Sequence, residues 1–212
     1  MKKLLLFTML VAVASLFTAC ENPDNKLAQN LQGTWEGYNY FGDDETPAEY
    51  QFYPDAESNH GKFIEMNHLI FTDEVDGAAY DMPYLAYVGG EYTVKDGRLY
   101  ITYDTETAGI MFDEDPILAY VTAYLDYDRE KGEGEWIGEL PEDVAEYFLN
   151  TRTDSFGEAW TEMCQEFNDA NVGASGFGDL KVSENKMSYH TSDLGTLEYT
   201  LSEEDWFEEY PF

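Results

Sequence analysis

Basic side chains are scarce in this 212-residue chain: 11 Lys and Arg stand against 44 Asp and Glu, a formal charge of −33. A nucleic-acid backbone demands clustered cations, so that partner is excluded, and electrostatic docking to anionic lipid is disfavoured by the same deficit. Aliphatic residues are also few. From Cys20 onward, Leu, Ile, Val and Phe make up 37 of 193 residues, a share that at this net charge is typical of disordered chains. The aromatics reverse that reading, because 17 Tyr and 4 Trp add side chains that can each bury ~150–250 Å². A folded, Tyr-rich domain under an acidic coat is expected, long enough to bury a core and kept soluble and monomeric by its charge. Two cysteines, Cys20 and Cys164, leave little room for disulfide chemistry.

The chain has one long apolar run, Leu4 to Phe17, preceded by Lys2-Lys3 and followed by Thr18-Ala19-Cys20. It is too short for a ~30 Å hydrocarbon core, which takes ~20 helical residues, and it has the flanks of a secretory h-region. Phe17-Thr18-Ala19-Cys20 resembles the bacterial lipobox. That resemblance implies removal of residues 1–19, acylation of Cys20 as the first mature residue, and a lipid-anchored protein of the cell envelope, expected in the outer membrane. An ordinary signal peptide cut near Ala19 is the plainer alternative. Residues 20–30, polar and containing Pro23, read as a tether, and residues 31–212 as a single domain. With Cys20 acylated, Cys164 has no intramolecular partner and reads as a small buried hydrophobe.

Alternation predicts a mainly β domain. Glu91–Lys95 and Arg98–Tyr103 flank Asp96-Gly97, a two-residue turn signal that pairs Val94 with Leu99 and Tyr92 with Ile101 on one face. A similar hairpin turns at Glu184-Asn185, pairing Val182 with Met187 and Leu180 with Tyr189. Further strands are expected at Thr34–Phe41, Glu49–Tyr53, Lys62–Thr72, Tyr84–Val88, Ile117–Tyr127 and Gly195–Leu201. The segment 141–169 departs from this pattern. Pro141, Glu142 and Asp143 suit a helix start, and Phe156, Trp160, Met163, Cys164 and Phe167 form one helical stripe, expected to cover an open edge or end of the sheet.

Leu31-Gln32-Gly33-Thr34-Trp35-Glu36-Gly37 resembles the Gly-x-Trp opening strand of lipocalin-like barrels, including the lipocalin-like domains of bacterial lipoproteins. The residues Gly90 to Ile101 resemble the later hairpins of the same domains. The resemblance implies a lipocalin-like antiparallel β-barrel or meander in which Trp35 plugs the closed end, and a binding function without catalysis. The Gly134-Glu135-Trp136-Ile137-Gly138 segment repeats the glycine–tryptophan spacing, so two tandem β modules are an alternative organisation.

No chemical motif stands out. His60, His68 and His190 lack zinc-ligand spacing, and Gly173 to Gly178, with Ser175, lacks the last glycine of a nucleophile elbow and any phosphate-loop Lys. Carboxylates are too numerous for a glycosidase pair to be picked out. Asp126 to Gly132 carries oxygen ligands at alternate positions, as calcium loops do, without the Gly and Glu that complete them, so calcium is a possible partner and a solvated acidic rim the plainer reading. Two functions are expected: a non-catalytic binding protein for a small apolar molecule or a glycan, or a packed interaction lipoprotein that engages another envelope protein. The volume inside the barrel discriminates between them.

Overall fold

The computed structural model describes residues 22–41, 44–75, 78–111, 122–128, 133–139, 142–171, 176–192 and 194–203. Among them are two helices, α1 (Pro23–Asn30) and α2 (Glu142–Asn171), and ten strands: β1 (Gly33–Phe41), β2 (Asp44–Pro54), β3 (His60–Val75), β4 (Ala78–Lys95), β5 (Arg98–Met111), β6 (Thr122–Asp128), β7 (Glu133–Glu139), β8 (Gly178–Val182), β9 (Lys186–Thr191) and β10 (Gly195–Leu201). All ten strands belong to one antiparallel sheet. The fold is mainly β, as the alternation predicts.

Strands β1 to β5 form a meander, and β8 to β10 return so that β10 pairs with β1. The sheet then curls until its ends meet. Phe177, just before β8, exchanges two backbone hydrogen bonds with Leu99 of β5 (2.9 and 2.7 Å), and the N–H of Leu180 reaches the carbonyl of Gly97 at 3.0 Å. Among the described residues, the ring is thus sealed at one end only. Farther along β5 the gap is filled by α2, whose Asn168 imitates a neighbouring strand. Its side-chain oxygen accepts from the Tyr103 N–H and its NH₂ donates to the Tyr103 carbonyl, both at 2.9 Å. The indole of Trp160 donates to the carbonyl of Tyr87 on β4 at 2.8 Å. A single amphipathic helix therefore covers the open edge that a half-closed barrel would leave unpaired.

The β4–β5 hairpin has the expected register, Val94 opposite Leu99 and Tyr92 opposite Ile101. Asp96 and Gly97 take φ of 53° and 69°, the left-handed pair that a two-residue hairpin turn requires. Val182 faces Met187 as predicted, and Lys181 faces Ser188 in the same register; between Lys181 and Gly178 the β8–β9 register shifts, so that Gly178 stands opposite His190. Strand β4 runs unbroken through Gly89-Gly90, where two separate strands are expected. At Gly90 a Cβ would stand 2.7 Å from the Phe63 ring and 2.3 Å from the Thr102 carbonyl, so the ring packs where a side chain would be. The predicted strand Ile117–Tyr127 is β6 from Thr122 onward, and residues 117–121 lie outside the described residues. Strand β7, which holds the second glycine–tryptophan segment, pairs with β6 outside the ring.

One expectation is corrected. The tether is not polar coil through residue 30, because Pro23–Asn30 is helix α1. Asn22 caps it by accepting from the Asp24 N–H at 3.0 Å, and Pro23 occupies a first-turn position where its missing donor costs nothing. The helix plugs the sealed end of the ring. Ala28 and Leu31 are fully buried, Tyr92 donates to the Ala28 carbonyl, and the Asp24 carboxylate accepts from the N–H groups of Asp96 and Gly97 at 2.9 and 3.1 Å. Trp35 is buried beside it and donates its indole N–H to the Leu31 carbonyl at 2.7 Å. Among the described residues, no helix is long and apolar enough to cross a membrane.

Candidate functional site

The inward positions change character along the barrel axis. Near α1 the filling is apolar: Trp35, Phe52, Val94, Leu99 and Met187 are each at most 1% exposed. Above that layer β1 turns Asn39 inward, and β3 turns Phe63, Glu65 and Asn67 inward, because their register partners lie on the same face. Glu65 is 2% exposed and Asn67 fully buried. The Glu65 carboxylate accepts from Asn39 Nδ2 and Asn67 Nδ2, both at 2.9 Å, and from the Tyr103 hydroxyl at 2.5 Å. Asn39 Oδ1 accepts in turn from the Tyr199 hydroxyl at 2.8 Å, which meets the Tyr189 hydroxyl at 3.0 Å.

A continuous aromatic belt surrounds this carboxylate. Ring contacts run from Tyr50 to Tyr199 (5.3 Å), Tyr189 (5.6 Å), Phe177 (5.0 Å) and Phe167 (6.2 Å). They continue through Tyr103 (4.7 Å) and Phe63 (5.8 Å) back to Tyr50 (6.5 Å). Strands β2, β3, β5, β9 and β10, the β8 lead-in and α2 each supply at least one ring, so the belt exists only when the barrel has closed.

Above the belt lies a half-open cavity of about 270 Å³, with Glu65, Tyr50, Tyr103 and Tyr189 among its walls and Tyr40, Thr191, Leu194 and Met163 reaching it. Among the described residues, no Lys, Arg or His lines it. The predicted helical stripe faces this space: Trp160 and Cys164 are buried, and Met163, on the same stripe, remains 37% exposed. A larger trough, about 660 Å³, crosses Gly89 with Tyr53, Lys62, Ile64, Glu91 and Asp104 along it. Lys62, Ile64 and Glu91 alternate with the inward positions, so this trough runs over the outer face; of the two, the smaller cavity is the candidate site, because the buried polar groups Asn39, Glu65 and Tyr103 converge on it.

Burial raises the Glu65 carboxyl above its ordinary value of 4.5, and hydrogen bonds from Tyr103, Asn67, Tyr50 and Asn39 pull it part of the way back. Burial pushes Tyr189 up to about 12 and, with help from the Glu65 charge, Cys164 also to about 12. Cys164 is therefore a protonated thiol packed as a hydrophobe, not a nucleophile. Tyr50, Tyr103 and Tyr199 are raised as well, each chiefly by burial. All these phenols are hydrogen-bond donors at neutral pH, so the site can bind and orient a guest.

Glu65 holds its proton more tightly in the folded chain than in the unfolded one. Its folded-state pKa exceeds its unfolded one, so its contribution to stability is fully present below pH ~4.5 and is lost as pH rises through the raised folded value. The stability of the wild type relative to Glu65→Gln, read from urea midpoints, should be most favourable in acid and decline toward neutrality. The other carboxylates titrate in both proteins and cancel. A difference that grew with pH would mean that the hydrogen bonds outweigh burial.

The other predicted candidates lie elsewhere. His60 pairs with Asp55 at 2.8 Å and His68 with Glu49 at 3.0 Å, both outside the cavity, and His190 faces Thr196. Among the described residues, no group of three His, Cys, Asp or Glu side chains is placed to hold a metal. Cys20, Ser175 and residues 129–132 of the calcium-like loop lie outside the described residues. Asn39, Glu65, Asn67 and the aromatic belt carry no motif, and only their strand parity could have pointed to them. Comparison with protein-family models, curated proteins and solved structures returns no match.

Proposed function

We propose that this is a non-catalytic, lipid-anchored envelope protein whose barrel binds a small molecule with an apolar body at its open end. The cavity of about 270 Å³ carries the reading: it is lined by aromatic and aliphatic side chains, with a few buried polar groups converging on its floor. Its volume suits a one-ring compound better than a long lipid. Replacing Met163, the partly exposed member of the α2 stripe at the cavity mouth, by Trp fills the mouth while leaving the core untouched. In ligand-observed NMR against a set of one-ring aromatics and monosaccharides, the wild type should bind at least one member. Met163→Trp should lose that binding at an unchanged melting temperature. Equal binding by both proteins, or none by the wild type, counts against the cavity.

The anchor part of the reading rests on Cys20 after a short apolar run. Only Glu21 separates Cys20 from Asn22, the cap of α1, so acyl chains on Cys20 would hold the sealed end of the barrel against the membrane and turn the cavity away from it. Cys20→Ala should abolish incorporation of radiolabelled fatty acid and move the protein to the soluble fraction. Unchanged labelling would sink the anchor. The alternative function, engagement of another envelope protein, is favoured by one feature, the apolar part of the outer trough formed by Tyr53, Ile64, Tyr87 and Met111.

A further inference from the structure

Three observations at the cavity floor narrow the class of ligand. The first is the closed aromatic belt, whose rings offer the negative faces that attract cations. The second is Glu65, a carboxylate 2% exposed, with no cationic side chain among the described residues of the cavity lining to balance it. A buried charge without a counter-ion is costly, and a ligand that brings one recovers part of that cost. The third concerns hydrogen-bond capacity. A carboxylate offers about four acceptor sites; Asn39 and Asn67 donate to Oε1, Tyr103 donates to Oε2, and Tyr50 also supports the carboxylate, so its donors are neutral amides and phenols and none of them brings a positive charge. Asn39 and Asn67 bond to each other and to Glu65, and the Tyr199 hydroxyl is committed to Asn39, so little is left to read the several hydroxyls of a sugar.

We infer that the cavity binds a small organic ammonium ion, its charged nitrogen within the aromatic belt at Glu65 and its apolar body directed toward Met163 and Leu194. This assignment rests on the binding reading above and names the ligand class for the same site. The formal charge of −33 raises the local concentration of cations around the protein and disfavours fatty acids and other anions at the same mouth.

The test uses three probes with one ring and one two-carbon arm: 2-phenylethylammonium, 2-phenylethanol and 3-phenylpropanoate. Each is titrated calorimetrically into the purified full-length protein and into Glu65→Gln, with the fold of the variant checked by circular dichroism. The ammonium should bind at least about tenfold more tightly than the alcohol, and the carboxylate should not bind. In Glu65→Gln the preference for ammonium over alcohol should fall to about twofold or less. A preference that survives in the variant would assign it to the general field of the acidic coat and overturn the role of Glu65. Equal affinity for ammonium and alcohol in the wild type would overturn the charge assignment and leave the cavity reading standing. Binding of none of the three would overturn both.

Discussion

Replacing Trp35 by alanine is expected to cost about 3–5 kcal/mol, much of the stability of a single domain. Trp35 is 1% exposed and packs where α1, β1, β2 and β10 meet, opposite Tyr50 and Leu201 in register. Its indole also holds the Leu31 carbonyl, immediately after α1. A helix of 8 residues does not persist alone in water, so α1 depends on this contact and on the Tyr92 and Asp24 bonds. Truncation should therefore do two things at once: lower the urea midpoint severely and raise amide exchange across Pro23–Asn30. Trp160→Ala is the control. That indole is 5% exposed and spans α2 and β4, away from the sealed end, so its loss should loosen the helix and leave the ring folded. A Trp35→Ala protein no less stable than Trp160→Ala would show that the sealed end does not anchor the fold.

The sequence shows clearly those features that are local in the chain. The Asp96-Gly97 hairpin, the limits of β10 and the stripe on α2 each follow from periodicity within a dozen residues or so, and each matches the structure. Strand β3 shows where this reasoning ends. Its two faces read Phe63, Glu65, Asn67, Leu69 and Ile64, Met66, His68, Ile70. Hydrophobicity alone favours turning the second set inward. The barrel turns the first set inward, because Asn39, Tyr50 and Tyr103, on β1, β2 and β5, join Asn67 of β3 itself and satisfy Glu65 only after closure. Ile70 is left 69% exposed by the same choice. Asn168 gives a second case. On a helix it reads as a solvent-facing residue, yet it completes a strand edge 65 positions earlier in the chain. The site is made of such long-range bonds, which explains why its residues left no motif.

Gly37 is expected to be the least replaceable residue beside the site. It sits opposite Ala48 on β1, facing inward, and a Cβ there would stand 2.3 Å from Cδ1 of Tyr199 and 2.8 Å from the Glu198 carbonyl oxygen. Tyr199 cannot swing aside. It is 1% exposed, edge-on to Tyr50, stacked on Tyr189, and bonded through its hydroxyl to Asn39. Gly37→Ala should cost about 1–3 kcal/mol, and Gly37→Val more, through overpacking. Because the displaced ring supports Asn39, ligand binding should weaken even where the alanine variant folds. Gly97→Ala makes the contrast. Nothing lies within 4 Å of a Cβ there, so only the φ of 69° is strained, at about 1–2 kcal/mol. A double-mutant cycle separates the two contacts at Gly37. In a Tyr199→Val background, which removes the opposing ring, Gly37→Ala should lose most of its cost, giving a coupling of about 1 kcal/mol or more. An undiminished cost in that background would place the clash at the Glu198 carbonyl instead, and the interlock between the opening strand and the aromatic belt would have to be abandoned.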